Sequence, residues 1–292
     1  MAAPAPVGVI GLGLMGTALA ARLIDAGTPV IGFDIDQAKR KPFGGETVAS
    51  AEEVIARCQT VIVAVFNAEQ IERVLDGFYR SGLADLIVCT TTCAPHEIVS
   101  LSNRATQLHL RFVEAPISGT SAEVRAGSAM ALIAGERTAI DAAATVLNIL
   151  CPRQSRVGKI GDAARTKLAI NLVLQNNRAA LAEGIAFAES MGLDGPSFLA
   201  SLHESAAYSR VMDIKAEKML ARDFTAQSHI AQTLKDAELI LEEGRRTRQH
   251  LPMTQLQTGL LRAALALAGP DVDSAAIIEA IRPSRAASGA PT

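Results

Sequence analysis

Two groups of residues in this sequence have the types and spacings that could do chemistry. The first is Gly11, Gly13 and Gly16 in VGVIGLGLMGTALAARLIDAG, a G-x-G-x-x-G spacing that follows a β-rich run and opens a helical one. In that context the first glycine permits a tight turn, the second lets the backbone approach a pyrophosphate, and the third allows a helix to pack closely on its strand. The turn Gly11-Leu12-Gly13-Leu14-Met15-Gly16 then presents free N–H groups and the positive end of a helix dipole to phosphates. Asp34 follows Gly16 by 18 residues, at the end of the next β-rich run. A carboxylate there accepts hydrogen bonds from the ribose hydroxyls of an adenosine and repels a 2′-phosphate, so the spacing predicts NAD rather than NADP as cofactor. An aspartate at such a position also serves turns that bind nothing.

The second group is Lys167, Asn171 and Gln175, which recur at i, i+4 and i+8 in a stretch otherwise rich in Leu, Ile and Val. On a helix these side chains share one face. A solvated stripe is the common origin of such a pattern. This one, however, carries amides where a solvated helix more often carries Glu and Lys pairs, which points to a semi-enclosed polar cleft. Oxidising an alcohol needs a general base for the hydroxyl proton. A lysine, ordinarily near pKa ~10.4, can serve close to neutral pH where partial burial and a nearby cationic nicotinamide lower it. Asn171, one turn on, can steady Lys167 or the substrate oxygen. A third feature, Ser118-Gly119-Thr120, offers backbone N–H groups and two hydroxyls, a neutral nest suited to a carboxylate or an ordinary helix N-cap.

Such side chains need a scaffold. From Val7 to about Val157 short β-rich runs alternate with helix-length stretches, the rhythm of βαβ units around a parallel sheet buried on both faces. The predicted strands are Val7–Ile10, Val30–Phe33, Thr60–Val65, Leu86–Thr90, Arg111–Val113 and Ala131–Ala134. Ligands of doubly wound sheets bind at the carboxyl ends of the strands, so Val65-Phe66-Asn67 and Thr91-Thr92 are expected to line the nucleotide crevice. After Gly161 the chain turns rich in Ala, Leu and Glu with helical periodicity, and one helix is expected over Ala163–Met191. The fold expected is α/β: a Rossmann-type doubly wound parallel sheet over residues 1–160, then an all-α domain over 161–292 joined by the long helix. The small, polar stretch 283–292 is expected to be disordered.

Composition narrows the function. Of 292 residues, 49% are hydrophobic and 20% charged, and 28 Lys plus Arg against 30 Asp plus Glu leave a net charge of −2. With no block of like charge, nothing attracts nucleic acid or an anionic membrane. Apolar runs of about ten residues, broken by glycine, are too short to span a bilayer. Cys58, Cys89, Cys93 and Cys151 show no disulfide or zinc spacing, and none of the five histidines has a partner at metal-ligand spacing. Reduced thiols and a cytoplasmic location are the reading.

Together the motifs resemble those of the β-hydroxyacid dehydrogenase family over nearly the whole chain: GLGLMG with Asp34, Thr91-Thr92-x-x-Pro95, APISG, Gly161 followed by Lys167-x-x-x-Asn171, and Leu234-Lys235-Asp236. The resemblance implies an NAD-dependent enzyme that moves hydride between the nicotinamide and the hydroxyl carbon of a small 3-hydroxy acid, or its aldehyde or keto counterpart. It implies that Lys167 is the catalytic lysine, Asn171 its hydrogen-bonding partner, and Ser118 and Gly119 the contacts of the substrate carboxylate. Thr92 would lie on the nicotinamide side, Lys235 would reach the cofactor or substrate from the helical domain, and the chain would form a homodimer or homotetramer. Two departures bear on the substrate: Thr120 stands where many relatives have a second glycine nearby, and Cys89 where many carry an acid. An imine reductase would usually lack the lysine and prefer NADP, so Lys167 and Asp34 argue against it. A silent dinucleotide-binding module has no need of Lys167 and Asn171 on one helical face.

Overall fold

The computed structural model describes residues 4–78 and 83–282. The chain separates into two compact units, Met1–Leu168 and Ala169–Thr292, and the boundary falls inside one long helix.

The elements of the first unit run β1 (Val7–Ile10), α1 (Leu14–Asp25), β2 (Val30–Phe33), α2 (Gln37–Arg40), β3 (Glu46–Thr47), α3 (Ala51–Arg57), β4 (Thr60–Val63), α4 (Ala68–Phe78), β5 (Leu86–Cys89) and α5 (Pro95–Gln107). They continue with β6 (Arg111–Glu114), β7 (Ile117–Ser118), α6 (Ser121–Arg125), β8 (Met130–Gly135), α7 (Arg137–Leu150), β9 (Arg153–Gly158) and the start of α8 (Asp162–Ser190). The sheet order is β3-β2-β1-β4-β5-β6-β8-β7, with β9 paired to β8. The first six of these strands are parallel, and their apolar runs are buried on both faces as such sheets require. Alternate residues feed two cores: Val9, Ile62 and Val88 pack with Leu19 and Leu23 of α1, whereas Ile10, Val63 and Ile87 pack with Ile71, Leu75 and Ile98 of α4 and α5.

From β1 the chain moves outward through β2 and β3, then returns to the other side of β1 as β4. The loops leaving β1 and β4 therefore diverge, which opens a crevice at their carboxyl ends. Register aligns these ends: Ile10 is level with Phe33 and Val63, Val63 with Cys89, and Cys89 with Glu114.

The far side of the sheet corrects the expectation of uniformly parallel strands, because β8 runs antiparallel to β6 and β7. Strand β9 was not expected, since Arg153-Gln154-Ser155-Arg156 at a sheet margin lacks the apolar run of a central strand. The expected Thr60–Val65 strand stops at Val63, where the backbone turns and the Val65 N–H meets Thr91 Oγ1 at 3.1 Å.

In the second unit α8 is followed by α9 (Gly195–His203), α10 (Val211–Ala221), α11 (Ile230–Thr247), α12 (Pro252–Ala268) and a 3₁₀ turn, Ser274–Ala280. Leu181, Ile185, Met219, Ile230, Ala237, Leu261 and Ile277 form its core. Within it Lys215 Nζ donates to both oxygens of Asp273, at 2.7 and 2.9 Å, and Asp273 also accepts the N–H groups of Gln227, Ser228 and Ala275. Among the described residues no helix is long and apolar enough to cross a membrane. The stretch 283–292 lies outside the described residues.

Candidate functional site

The glycine turn follows β1 directly. Gly11 has φ +96°, and a Cβ there would come within 2.4 Å of the Ala64 carbonyl oxygen. At Gly16 a Cβ would lie 1.8 Å from the Gly11 carbonyl oxygen, so the protein's own packing demands glycine at both positions. Gly13 is different. As N-cap of α1 it has the ordinary φ of −68°, and a Cβ there would meet nothing within 4 Å. The open space beside this uncapped helix start, where N–H groups converge, fits the pyrophosphate of a dinucleotide.

Asp34, 8% exposed, directly follows β2 beside that turn. Its Oδ2 accepts the Leu12 N–H at 2.7 Å and its Oδ1 the Asp36 N–H at 2.8 Å, so the carboxylate both braces the glycine turn and is held in one orientation. Each oxygen keeps a second lone pair for a ribose hydroxyl. Arg40 donates from Nε to the Asp34 carbonyl oxygen and lies over the Phe33 ring, 4.5 Å from its centroid.

The loops after β4 and β5 are laced together. Thr91 Oγ1 bonds the Val65 backbone, and Thr90 Oγ1 donates to the Val63 carbonyl. Asn67 caps α4 by accepting the Gln70 N–H at 3.0 Å, and the Phe66 N–H donates to Gln70 Oε1 while the residue as a whole is exposed. Thr92 is half-buried in the same row of loops. Cys89 is fully buried there, and burial pushes its thiol up to about 12, so it stays protonated and neutral.

In the Ser118-Gly119-Thr120 turn, Gly119 has φ +150° and its Cβ would crowd that of Ala129 at 2.9 Å. Thr120 is spent on structure. It forms a capping box for α6, its hydroxyl accepting the Glu123 N–H and Glu123 Oε2 accepting the Thr120 N–H at 2.9 Å.

Lys167 is 6% exposed and stands in the second turn of α8. Two N–H groups at the start of that helix are held by Glu114, the last residue of β6: Gly161 donates to Oε2 at 2.7 Å and Ala164 to Oε1 at 2.5 Å. Burial pushes the Glu114 carboxyl above the ordinary glutamate range, and the N–H groups of Gly161, Ala164 and Ala163 pull it part of the way back.

Asn171 and Gln175 belong to the second unit. Asn171 is buried, and its Nδ2 donates to Asp236 Oδ2 at 3.0 Å. Lys235 Nζ pairs with the other oxygen of Asp236 at 2.9 Å. Gln175 is consumed by helix packing, donating to the Thr233 carbonyl and accepting from Gln257. The i, i+4, i+8 stripe thus divides, with its third member tied into the helical unit. Sequence reasoning gave Asp236 no role of its own and passed over Glu114, because a lone acid at a strand end carries no spacing signal.

The family profile of the NAD binding domain of 6-phosphogluconate dehydrogenase matches residues 6–158, and that of the NAD-binding domain of NADP-dependent 3-hydroxyisobutyrate dehydrogenase matches residues 161–281. The chain belongs to the β-hydroxyacid dehydrogenase family. It is thus an enzyme, one of a family of nicotinamide-dependent oxidoreductases of small hydroxy acids. It is similar to 2-hydroxy-3-oxopropionate reductase of Escherichia coli, 27% identical over 94% of this chain and 96% of that protein. It is also similar to L-threonate dehydrogenase of Cupriavidus necator, 29% identical over 93% and 94% of the two chains. A crystal structure of 3-hydroxyisobutyrate dehydrogenase from Salmonella typhimurium shares the fold, with a TM-score of 0.85 and 22% identity, covering 94% of this chain and 99% of that one.

Proposed function

We propose that this protein is an NAD-dependent dehydrogenase of a small 3-hydroxy acid, or a reductase of its aldehyde or keto counterpart, with Lys167 as general acid and base. The observation that carries the reading is the placement of Lys167. A lysine 6% exposed stands in the second turn of a helix whose start is anchored to Glu114, level with the strand ends that bear the glycine turn. Family membership supplies the reaction class.

A dinucleotide bound at Gly11–Gly16 supplies the hydride acceptor or donor. The protein's residues do the rest. Lys167 takes the proton from the substrate hydroxyl during oxidation and returns it during reduction. Asn171, one helical turn on and held by Asp236, orients the oxygen that changes charge. Ser118 and the Gly119 N–H bind the carboxylate, and Thr92, Val65, Phe66 and Asn67 border the nicotinamide half of the cofactor. Asp34 favours NAD because its carboxylate, fixed by two N–H donors, puts negative charge where a 2′-phosphate would go.

The partner we propose is a second copy of the chain. Val173, Ala180 and Phe187 lie along one exposed stripe of α8, and Met253, Leu256 and Leu267 along one of α12. Large apolar side chains exposed along two helices call for cover.

The test is steady-state turnover with NAD over a panel of 3-hydroxy acids that includes serine, threonate and 3-hydroxyisobutyrate, for the wild type and Lys167→Ala. The substitution should lower kcat by ~10²–10⁴-fold while calorimetry still records NAD binding. Wild-type turnover in Lys167→Ala would reject the assignment.

A further inference from the structure

We propose that Glu114 is a positioning residue for proton transfer: its carboxylate sets the first turn of α8, and so Lys167, in fixed relation to the Ser118-Gly119 turn. The inference rests on the functional reading above, in which Lys167 moves the proton and Ser118-Gly119 holds the acid.

Helix α8 begins without a local cap. Its preceding residue, Gly161, has φ +94°, and a side chain there would also crowd Val99 at 3.1 Å, so the site excludes the Ser, Thr, Asp and Asn that normally cap a helix. Asp162 is no substitute, because it faces backward and sideways, accepting the Lys159 N–H at 3.0 Å and pairing with Arg165. The N–H groups at the helix start reach across the sequence instead, by 47 and 50 residues, to a carboxylate 1% exposed at the end of β6. Burying a charge there costs more than a neutral cap would, and the return is geometric: two charge-assisted bonds define both the position and the rotation of the helix start. Lys167 comes three residues after Ala164, within a turn of the anchor, where any slip in that start is passed on almost unreduced.

The same residue governs the other end of the reaction. Ser118 follows Glu114 by four residues, and the connection between β6 and β7 is pinned by the Ala115 N–H on the Cys89 carbonyl at 2.8 Å and by the Leu132 N–H on the Pro116 carbonyl at 3.0 Å. One carboxylate therefore sets the separation between the group that holds the acid and the group that moves the proton. A displacement of about 1 Å between reacting groups can cost ~10²-fold in rate.

The experiment compares the full-length wild type with Glu114→Gln, Glu114→Asp and Lys167→Ala. Gln keeps one acceptor but turns an amide donor toward the second N–H; Asp keeps the charge but withdraws both acceptors by about 1.5 Å. For each variant kcat and KM are measured with the acid identified by the panel, NAD affinity by calorimetry, and the deuterium isotope effect on kcat with deuterated substrate. Expected is a 10- to 100-fold fall in kcat for Gln and a 3- to 30-fold fall for Asp, with KM and NAD affinity within threefold of wild type and a larger isotope effect. If either folded variant keeps kcat within threefold, or loses rate only in step with NAD affinity, Glu114 is a structural cap and the inference is overturned. An active Lys167→Ala defeats the functional reading itself, whereas an inactive Lys167→Ala beside unimpaired Glu114 variants defeats only the positioning role.

Discussion

Gly13 should be dispensable for folding and indispensable for binding. Replacing it with alanine adds a methyl group at an ordinary φ of −68°, into space with no protein atom within 4 Å. The folded state meets no clash and the unfolded chain loses freedom, so Gly13→Ala should be ~0.4–1 kcal/mol more stable than wild type. The same methyl group occupies the approach of a pyrophosphate to the helix start. An overpacking cost of ~1–3 kcal/mol there corresponds to about 5- to 150-fold weaker NAD binding. Gly16→Ala is the control, because its methyl group would lie 1.8 Å from the Gly11 carbonyl oxygen and should destabilise by at least the upper end of that range. Denaturant unfolding of the unliganded proteins and calorimetric titration with NAD separate the two effects. Wild-type affinity in Gly13→Ala would show that the space is not where phosphates sit. A stability loss matching that of Gly16→Ala would show that the space is not free.

Asp34→Ser should narrow the ratio of kcat/KM for NAD over NADP by about tenfold or more, since it removes a fixed negative charge; an unchanged ratio places the discrimination elsewhere. In the helical unit, Asp273→Asn leaves the Lys215 ammonium buried without its counter-ion and should cost ~3–5 kcal/mol in denaturant unfolding. A loss under 1 kcal/mol would refute the pairing. Burial opposes ionisation of Asp273, but the Lys215 ammonium and the Ala275 and Gln227 N–H groups hold its carboxyl below the ordinary aspartate range. Its native value being depressed, this contribution is complete well above about pH 4 and is lost as the pH falls through the ordinary value toward the native one. Acid unfolding should therefore shift to higher pH in Asp273→Asn.

What could be read from the chain, and what could not, follows the physics of each signal. The buried parallel strands were legible because a strand covered on both faces must be continuously apolar, as in Val61-Ile62-Val63 and Ile87-Val88. The margin was not, because β9 is half exposed and β3 and β7 are two residues each. Gly11 and Gly16 are fixed by local sterics and announce themselves, as does the long helix, expected over Ala163–Met191 and found over Asp162–Ser190. The spacing of Gln175 suggested a cleft, yet its amide is spent between α11 and α12, since helical periodicity gives the face a side chain occupies and not what covers that face. Thr120 had two readings, and its capping box with Glu123 decides for the local one. Glu114 could not have been found, because its partners lie 47 and 50 residues away and are backbone groups without side-chain identity.

The margins of the sheet have a consequence for assembly. At one limit stands the two-residue β3, and beside β8 lie the equally short β7 and the arginine-bearing β9. The two-residue β3 and β7 are too short, and β9 too charged and irregular in register, to serve another chain as a flat template, so strand-to-strand growth into fibres or continuous intermolecular sheets is disfavoured from the outset.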